Sequence, residues 1–392
     1  MSSDLKSKLI IIGIGIVLRV CFFGICSSDT IDFLTQRVEF LSSLTSYSRM
    51  VEGKFLVSTG KELYVSDFFR LNPLVGAFVF PVIGSQVLTF ALATCMDALT
   101  AFLLMETTGP FHKIAGMLYL LNPYTIVSPS ALSLQSLHIL VMVLVLYATY
   151  VRKSVNGVSF ALAFAVLLKP VLPIVLIFPI SVCLGTPVWR IILWSIFWFI
   201  ILQILSFSVT GFSWSYFHPT VVAPLLISGD NEPSMSLAWS LFTVVLKESL
   251  WFFRIAYHTH LLFTSALVHV RSTTVNYSLE TKQRFMTLMV CAVLLFQQSA
   301  TAIDHCLTIS LILACDETRY LDTISTQFTH IIMAGLIFSS AMAPLWIDKN
   351  TANMNFLFYM GMVIFFAGVI SITQGLRLAR LDGYSEKDKK QQ

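Results

Sequence analysis

Long apolar stretches separated by short polar segments fill most of the chain, and many approach the length of a membrane helix. About 20 largely apolar residues cross a bilayer, and fewer suffice where a helix is packed among neighbours. We therefore expect about twelve crossings, at 9–26, 86–105, 114–128, 131–151, 157–170, 171–185, 188–210, 248–270, 285–298, 301–315, 328–346 and 356–378. The apolar run 74–83 is too short to cross and predicts a half-helix.

The composition supports a polytopic membrane protein. Of the 392 residues, 56% are hydrophobic and only 12% are charged, whereas a soluble domain has about 25% charged residues. A soluble enzyme and a disordered chain are excluded, because one soluble core cannot bury this much apolar surface. A nucleic-acid-binding protein is excluded as well, because the net charge of +4 is too dispersed for such a surface. The predicted fold class is all-α: one transmembrane helical bundle over 1–380, followed by a charged tail at 381–392.

Lysine and arginine residues in the short loops indicate the orientation of the bundle. If the spans alternate, these cations share one face, at 113, 152–153, 190, 271–284 and from 377 onward. Because positive loops are typically cytosolic, we expect both termini in the cytosol. Two long segments, 27–85 and 211–247, then lie on the opposite face.

The polar C-terminal tail lacks apolar residues from 385 onward, which predicts disorder. It ends in Lys389, Lys390 and two glutamines, and this ending resembles the di-lysine retrieval signal of endoplasmic-reticulum membrane proteins. Such a signal is read by a receptor from the cytosol. The alternative is an ordinary solvated charge run.

The first long non-cytosolic segment predicts an amphipathic helix over 32–47 that lies on the bilayer surface. A second helical stretch begins near Arg49 and is expected to stop near Gly60, as at a glycine C-cap. The charges at Arg37, Glu39, Arg49 and Glu52 balance and are expected to pair or to be solvated.

Several polar residues within or beside apolar stretches need partners or a function. Asp29 and Asp32 follow the first span, where a glycosyltransferase needs an acid, although Asp32 is better explained as a helix N-cap. Asp97 and the Asp304–His305 pair are expected to form buried hydrogen bonds. Asn122 and Pro123 interrupt a span, because proline removes a backbone hydrogen bond.

No motif in the sequence calls for a cofactor or a metal ion. We find no glycine-rich phosphate loop, no HExxH or GxSxG motif, and no Cys/His cluster with metal-ligand spacing. The seven cysteines lie in or beside apolar stretches without paired spacings, which is typical of buried small apolar residues. No nucleophile–base pair can be identified either.

An ordered series of sequence blocks covers nearly the whole chain. The blocks are Arg-Val-Glu at 37–39, Arg-Met-Val-Glu-Gly at 49–53, Met-Asp-Ala-Leu-Thr-Ala at 96–101, Leu-Leu-Asn-Pro-Tyr-Thr-Ile at 120–126, Leu-Ala-Trp at 237–239, Thr-Ala-Ile-Asp at 301–304 and Ala-Asn-Met-Asn-Phe at 352–356, with single positions at Pro173, Pro179, Asp230 and Pro233. In order and spacing, this series resembles the PIG-U family, the multi-spanning subunit of the glycosylphosphatidylinositol (GPI) transamidase complex.

The resemblance implies a non-catalytic subunit in the endoplasmic reticulum, built on a scaffold similar to the GT-C glycosyltransferases. Its role would be to present the GPI lipid to a PIG-K-like cysteine protease chain, beside PIG-T-like, PIG-S-like and GPAA-type subunits. We expect kinked helices to enclose the acyl chains. Polar residues on the luminal rim would meet the glycan and phosphates: Arg37, Arg49, Asp304, Asn353 and Asn355.

Two other functions are compatible with the same spans. A mannosyltransferase with a dolichol-linked donor would use Asp29 or Asp32 as its essential acid. A lipid transporter or scramblase is disfavoured, because no inverted repeat with matching broken helices is visible.

The predicted orientation can be tested at the sequon Asn276-Tyr277-Ser278, which lies in a loop assigned to the cytosol. We expect no glycan there, because glycosylation takes place on the other side of the membrane. Endoglycosidase treatment should leave the electrophoretic mobility of the protein unchanged. A shift that disappears in Asn276→Gln would contradict the orientation.

Overall fold

The computed structural model of the chain is a bundle of helices, and its described residues contain no strand. It describes residues 3–40, 42, 44–64, 69–107, 112–170, 172–223, 234–244, 248–275, 277–315, 324–347, 349–351 and 354–391. Side chains within this part are described except at 3, 112, 237, 240, 243–244, 315, 324–326, 347, 354–358 and 378–391. The predicted all-α class is thereby confirmed.

Seventeen α-helices occur in the described part of the chain. In order they are α1 Ser3–Ile25, α2 Ser28–Thr35, α3 Tyr47–Ser58, α4 Pro73–Val79, α5 Gln86–Thr107, α6 His112–Leu120, α7 Pro123–Val127, α8 Gln135–Tyr147, α9 Val155–Leu168, α10 Ile177–Leu184, α11 Val188–Val209, α12 Leu237–Val244, α13 Leu250–Val275, α14 Leu279–Leu295, α15 Ala302–Cys315, α16 Ile324–Ile347 and α17 Met354–Gln391. Short 3₁₀ turns cover Ser128–Ala131 and Leu172–Leu176, and π turns cover Ala148–Arg152 and His218–Val222.

Helix occupies each of the twelve stretches that the apolar pattern marks. By length and composition, six helical stretches in the described part can cross a membrane: Asp4–Ile25, Gln86–Thr107, Gln135–Arg152, Val188–Val209, Gln327–Trp346 and Tyr359–Arg377. Three apolar stretches are shorter: Val155–Leu168, Leu172–Leu184 and Ala302–Ala314. The half-helix expected at 74–83 is α4, which ends at Val79.

The apolar core lies between α5, α8, α9 and α14, whose side chains form one large buried cluster. Helices α1 and α11 lie at the edge of the bundle, because only 17% and 22% of the residues in their most apolar stretches are buried inside the protein. Their outward faces carry large apolar side chains such as Ile10, Val17, Trp189 and Phe197. Such faces suit hydrocarbon, which a membrane supplies and water does not.

A break in the third predicted span is encoded by two residues. Helix α6 ends at Leu120, and α7 restarts at Pro123 with Asn122 as its N-cap. The Asn122 side chain accepts the Tyr124 N–H at 3.0 Å. Because Pro123 stands at the first helical position, its missing N–H leaves no donor unsatisfied.

The prediction of one amphipathic helix over 32–47 is wrong. Helix α2 ends at Thr35, and it is capped by Ser27, whose hydroxyl accepts the Thr30 N–H at 3.2 Å, rather than by Asp32. Val38 and Phe40 are buried inside the protein, so the apolar positions of this stretch reflect packing on the bundle. The second predicted helix is α3, and Gly60 follows it with a φ of +68°.

The prediction of a disordered tail is also wrong, because α17 continues to Gln391. No proline occurs after Pro344, and lysine, glutamate and glutamine are good helix formers. Glu386 precedes Lys390 by four residues, a spacing that favours helix.

An ion pair inside the bundle joins α1 to α5. The Arg19 Nε lies 3.5 Å from an oxygen of Asp97, and both side chains are fully buried. Arg19 also donates to the carbonyl oxygens of Gly15 and Leu120, at 3.0 and 2.9 Å. Tyr119 donates to the other Asp97 oxygen at 2.8 Å. This network holds α1 against the point where α6 ends.

We predict that Asp97→Ala lowers the stability of the full chain by about 3–5 kcal/mol, because it leaves Arg19 buried without an acidic partner. Thermal unfolding in detergent measures the loss. The double variant Arg19→Met/Asp97→Leu should recover much of it. Glu280→Gln is the control, since it breaks the exposed pair with Arg284. Equal melting of Asp97→Ala and the control would contradict the role of the pair.

Candidate functional site

The chain between α2 and α3 lies across one end of the bundle. We call residues 36–46 the crossing segment, of which 41 and 43 lie outside the described residues. The Glu39 carbonyl accepts the Ala302 N–H at 2.9 Å, and the Thr45 carbonyl accepts the Leu134 N–H at 3.2 Å. The segment is rich in serine and threonine, whose hydroxyls compete with regular backbone hydrogen bonding.

Arg37 joins the crossing segment to α16. Its guanidinium group donates to both carboxylate oxygens of Glu39, from Nε at 3.1 Å, and to the Ser340 carbonyl. The Ser340 hydroxyl lies 3.0 Å from the Tyr124 hydroxyl, which brings in α7. The Arg37 side chain is 14% exposed and that of Glu39 is 1% exposed. Glu39 therefore balances the arginine charge, and part of Arg37 remains accessible.

Asp304 is fully buried near the start of α15 and accepts four hydrogen bonds. Gln135 donates its amide to both carboxylate oxygens at 2.9 Å. Thr301 donates its N–H at 2.8 Å and its hydroxyl at 3.0 Å. A carboxylate in this position also favours the positive end of the helix dipole. The structure therefore gives Asp304 the buried hydrogen bonds that the sequence predicts, to partners inside the protein.

A small polar cavity lies beside Asp304 at the same end of the bundle. Its volume is about 60 Å³, and it is lined by Leu44, His138, Lys169, Pro170, Leu172, Pro173, His258, Gln297, Gln298 and Ser299. Lys169 follows the last residue of α9 and donates to the Gln297 side-chain oxygen at 2.6 Å and to the Ser299 carbonyl at 3.3 Å. The His138 Nδ1 lies 3.7 Å from Asp304.

The two glutamines after α14 have separate partners. Gln297 contacts Lys169, and the Gln298 amide nitrogen lies 2.8 Å from Nε2 of His258 on α13. His305 meets the Met235 carbonyl at 3.2 Å. The adjacent Asp304 and His305 thus have different contacts.

The other predicted rim residues are placed as follows. Arg49 is buried in α3 with 6% exposure. Asn353 lies outside the described residues, and Asn355 belongs to the first turn of α17 with its side chain undescribed. Lys389 and Lys390 lie in the last turns of α17, and their side chains are likewise undescribed. Through Glu39 and Ala302, the structure connects Arg37 with the vicinity of Asp304.

Lys169, His138 and Gln135 escaped the sequence analysis. Lys169 carried the clearest signal, because a lysine before a proline inside an apolar stretch needs a buried partner or a function. Gln135 and His138 carried a weaker one, since their partner Asp304 is 169 residues from Gln135 along the chain. Among the described residues, no group of three or more His, Cys, Asp or Glu side chains is arranged to hold a metal ion.

Similarity to known proteins covers the bundle and the crossing segment together. The chain is 23% identical to the GPI-anchor transamidase component PIGU of Homo sapiens and 25% identical to the GPI transamidase component GAB1 of Saccharomyces cerevisiae. Each comparison spans 89% of this chain and 88% of the relative. A family model described as GPI transamidase subunit PIG-U matches residues 13–365. Because this match takes in most of the sequence, the chain belongs to the PIG-U family.

Proposed function

We propose that this chain is a subunit of a GPI transamidase complex, which holds the GPI lipid and presents it for attachment to the C-terminus of precursor proteins. The observation that carries the proposal is the match of the PIG-U family model over residues 13–365. Relatives from mammals and yeast are named as transamidase components, which favours this role over a mannosyltransferase.

The chemistry of attachment belongs, in this proposal, to another chain. His138 and Asp304 form a buried histidine–carboxylate pair, but the second ring nitrogen of His138 has no hydrogen-bond partner in the described part of the protein. A nucleophile activated by histidine would occupy that position. The partners are then the other transamidase subunits, namely a PIG-K-like protease with PIG-T-like, PIG-S-like and GPAA-type chains.

An apolar groove supplies a place for an acyl chain. It has a volume of about 720 Å³ and lies between α11 and the π turn His218–Val222, lined by Phe199, Ile200, Gln203, Ile204, Trp214, Phe217, His218 and Val222. Its α11 residues, Phe199, Ile200, Gln203 and Ile204, lie in the second half of that helix, where Ser206 donates a hydrogen bond to the Asn72 side chain. Apolar lining with few polar groups is typical of a site for hydrocarbon.

In this proposal the polar rim for the glycan and phosphates includes the accessible part of Arg37 and the side chains of Asn353 and Asn355. An arginine fork donates two hydrogen bonds to a phosphate at once. The membrane is that of the endoplasmic reticulum, with both termini in the cytosol. Lys389 and Lys390 then serve as the retrieval signal.

Depletion of the chain from cells distinguishes a transamidase subunit from a mannosyltransferase. We expect complete GPI lipid to accumulate unattached, because only its transfer to protein is blocked. Mass spectrometry of the lipid fraction checks the result, and re-expression of the wild-type chain is the control. A truncated glycan would instead support mannose transfer by this chain.

We predict that Asn353→Ala and Asn355→Ala each reduce the surface level of GPI-anchored proteins severalfold, because each removes one amide from the rim. Flow cytometry measures the surface level. Thr351→Ala, at an exposed position shortly before these residues in the sequence, is the matched control. Co-purification of the partner chains should be unchanged in all three variants. Normal surface levels in both asparagine variants would remove these residues from the site.

A further inference from the structure

The cavity beside Lys169 has the size of one small polar group. One water molecule needs a cavity volume of about 10–15 Å³. The cavity of about 60 Å³ therefore has room for roughly four waters or one phosphate group. Five of its lining side chains carry polar nitrogen atoms: His138, Lys169, His258, Gln297 and Gln298. Two leucines, two prolines and Ser299 complete the wall.

Several nitrogen atoms in this wall have no partner inside the protein. They are Nε2 of Gln297, Nε2 of His138 and Nδ1 of His258. Gln297 is 3% exposed, His138 is 1% exposed and His258 is 8% exposed. The Lys169 ammonium has three N–H donors and donates two hydrogen bonds within the protein. The cavity thus offers more donors than its own acceptors use.

The charges around the cavity favour an anion. Among the described lining residues, Lys169 carries the only full charge. Asp304 lies behind His138, and its oxygens accept hydrogen bonds from Gln135 and Thr301. Nδ1 of His138 faces Asp304 at 3.7 Å, and its Nε2 has no partner among the described residues. The Lys169 ammonium has no carboxylate within salt-bridge distance among the described residues, so an anion in the cavity would meet a cation bonded only to neutral groups.

The cavity opens where the chain leaves the apolar core. Helix α9 ends at Leu168 and α14 ends at Leu295, just before the lining residues that they contribute. Leu44, Pro170, Gln298 and Ser299 are partly exposed at this end. An opening at the end of membrane helices lies at the depth of lipid headgroups.

From these observations we propose that the Lys169 cavity binds one singly charged phosphate group, supplied by a phospholipid headgroup or by free phosphate. A charge-assisted hydrogen bond from Lys169, together with the unpartnered Gln297 amide nitrogen, would hold its oxygens. The proposal uses neither Asn353 nor Asn355, and it does not depend on the transamidase role.

The decisive variant is Gln297→Glu, which keeps the shape of the side chain and adds a negative charge. Its carboxylate would pair with Lys169, because the present oxygen already lies 2.6 Å from that ammonium. We therefore expect an unfolding temperature at least equal to that of the wild type, together with at least tenfold weaker phosphate binding. Gln36→Glu, at an exposed position of the crossing segment, is the matched control and should bind normally.

Binding is measured on the full-length chain in an uncharged detergent, by the rise in unfolding temperature. The probes are phosphatidylglycerol, diacylglycerol with the same acyl chains, and sodium phosphate against sodium chloride at equal ionic strength. Stabilisation by phosphatidylglycerol alone identifies a lipid headgroup, and stabilisation by sodium phosphate identifies the free ion. Lys169→Met should abolish either response.

Three outcomes would overturn the proposal. The first is that neither phosphatidylglycerol nor phosphate stabilises the wild type. The second is that diacylglycerol stabilises as well as phosphatidylglycerol, since the site would then recognise acyl chains. The third is an undiminished response in Gln297→Glu, which would place the phosphate elsewhere.

Discussion

The hydrogen bonds of Asp304 are the interaction on which this end of the bundle depends. A carboxylate in an apolar bundle is unfavourable unless neighbouring groups donate to it, and here α8 donates through Gln135 and the start of α15 donates through Thr301. The next residue after Thr301 also donates its N–H to Glu39 of the crossing segment. Two helices and one loop are thus joined around one charge.

The same constraint explains how far the sequence predicted the fold. The length of the apolar stretches predicts the positions of the helices well. In a membrane every backbone polar group must be hydrogen-bonded within the protein, and a helix achieves this within its own segment. The break between α6 and α7 is likewise predicted by Asn122 and Pro123, because a helix cap and a proline act on the adjacent backbone. The prediction of one helix over 32–47 was wrong because the apolar residues there pack on residues distant in sequence, as Val38 does with Trp239 and Ala343. No local period encodes such contacts.

The candidate site was predicted less completely than the fold. Arg37 and Asp304 were found as charged residues in an apolar chain, but their roles depend on partners far away in sequence. Arg37 contacts Ser340 and Asp304 contacts Gln135. Lys169 escaped because it lies at the predicted junction of two spans, where a lysine is ordinarily a loop residue. The structure instead gives it 8% exposure, with Gln297 and Ser299 as its partners.

The arrangement around Asp304 favours binding over chemistry. A general base must accept a proton from a substrate, but the Asp304 oxygens are occupied by amide and hydroxyl donors that would be lost if it moved. His138 is held by the same carboxylate, with its other nitrogen beside a cavity about the size of one phosphate group. Fixed donors around a small space recognise a group without transforming it. This arrangement agrees with the role proposed above, in which the chain holds a lipid and the attachment reaction takes place on another chain.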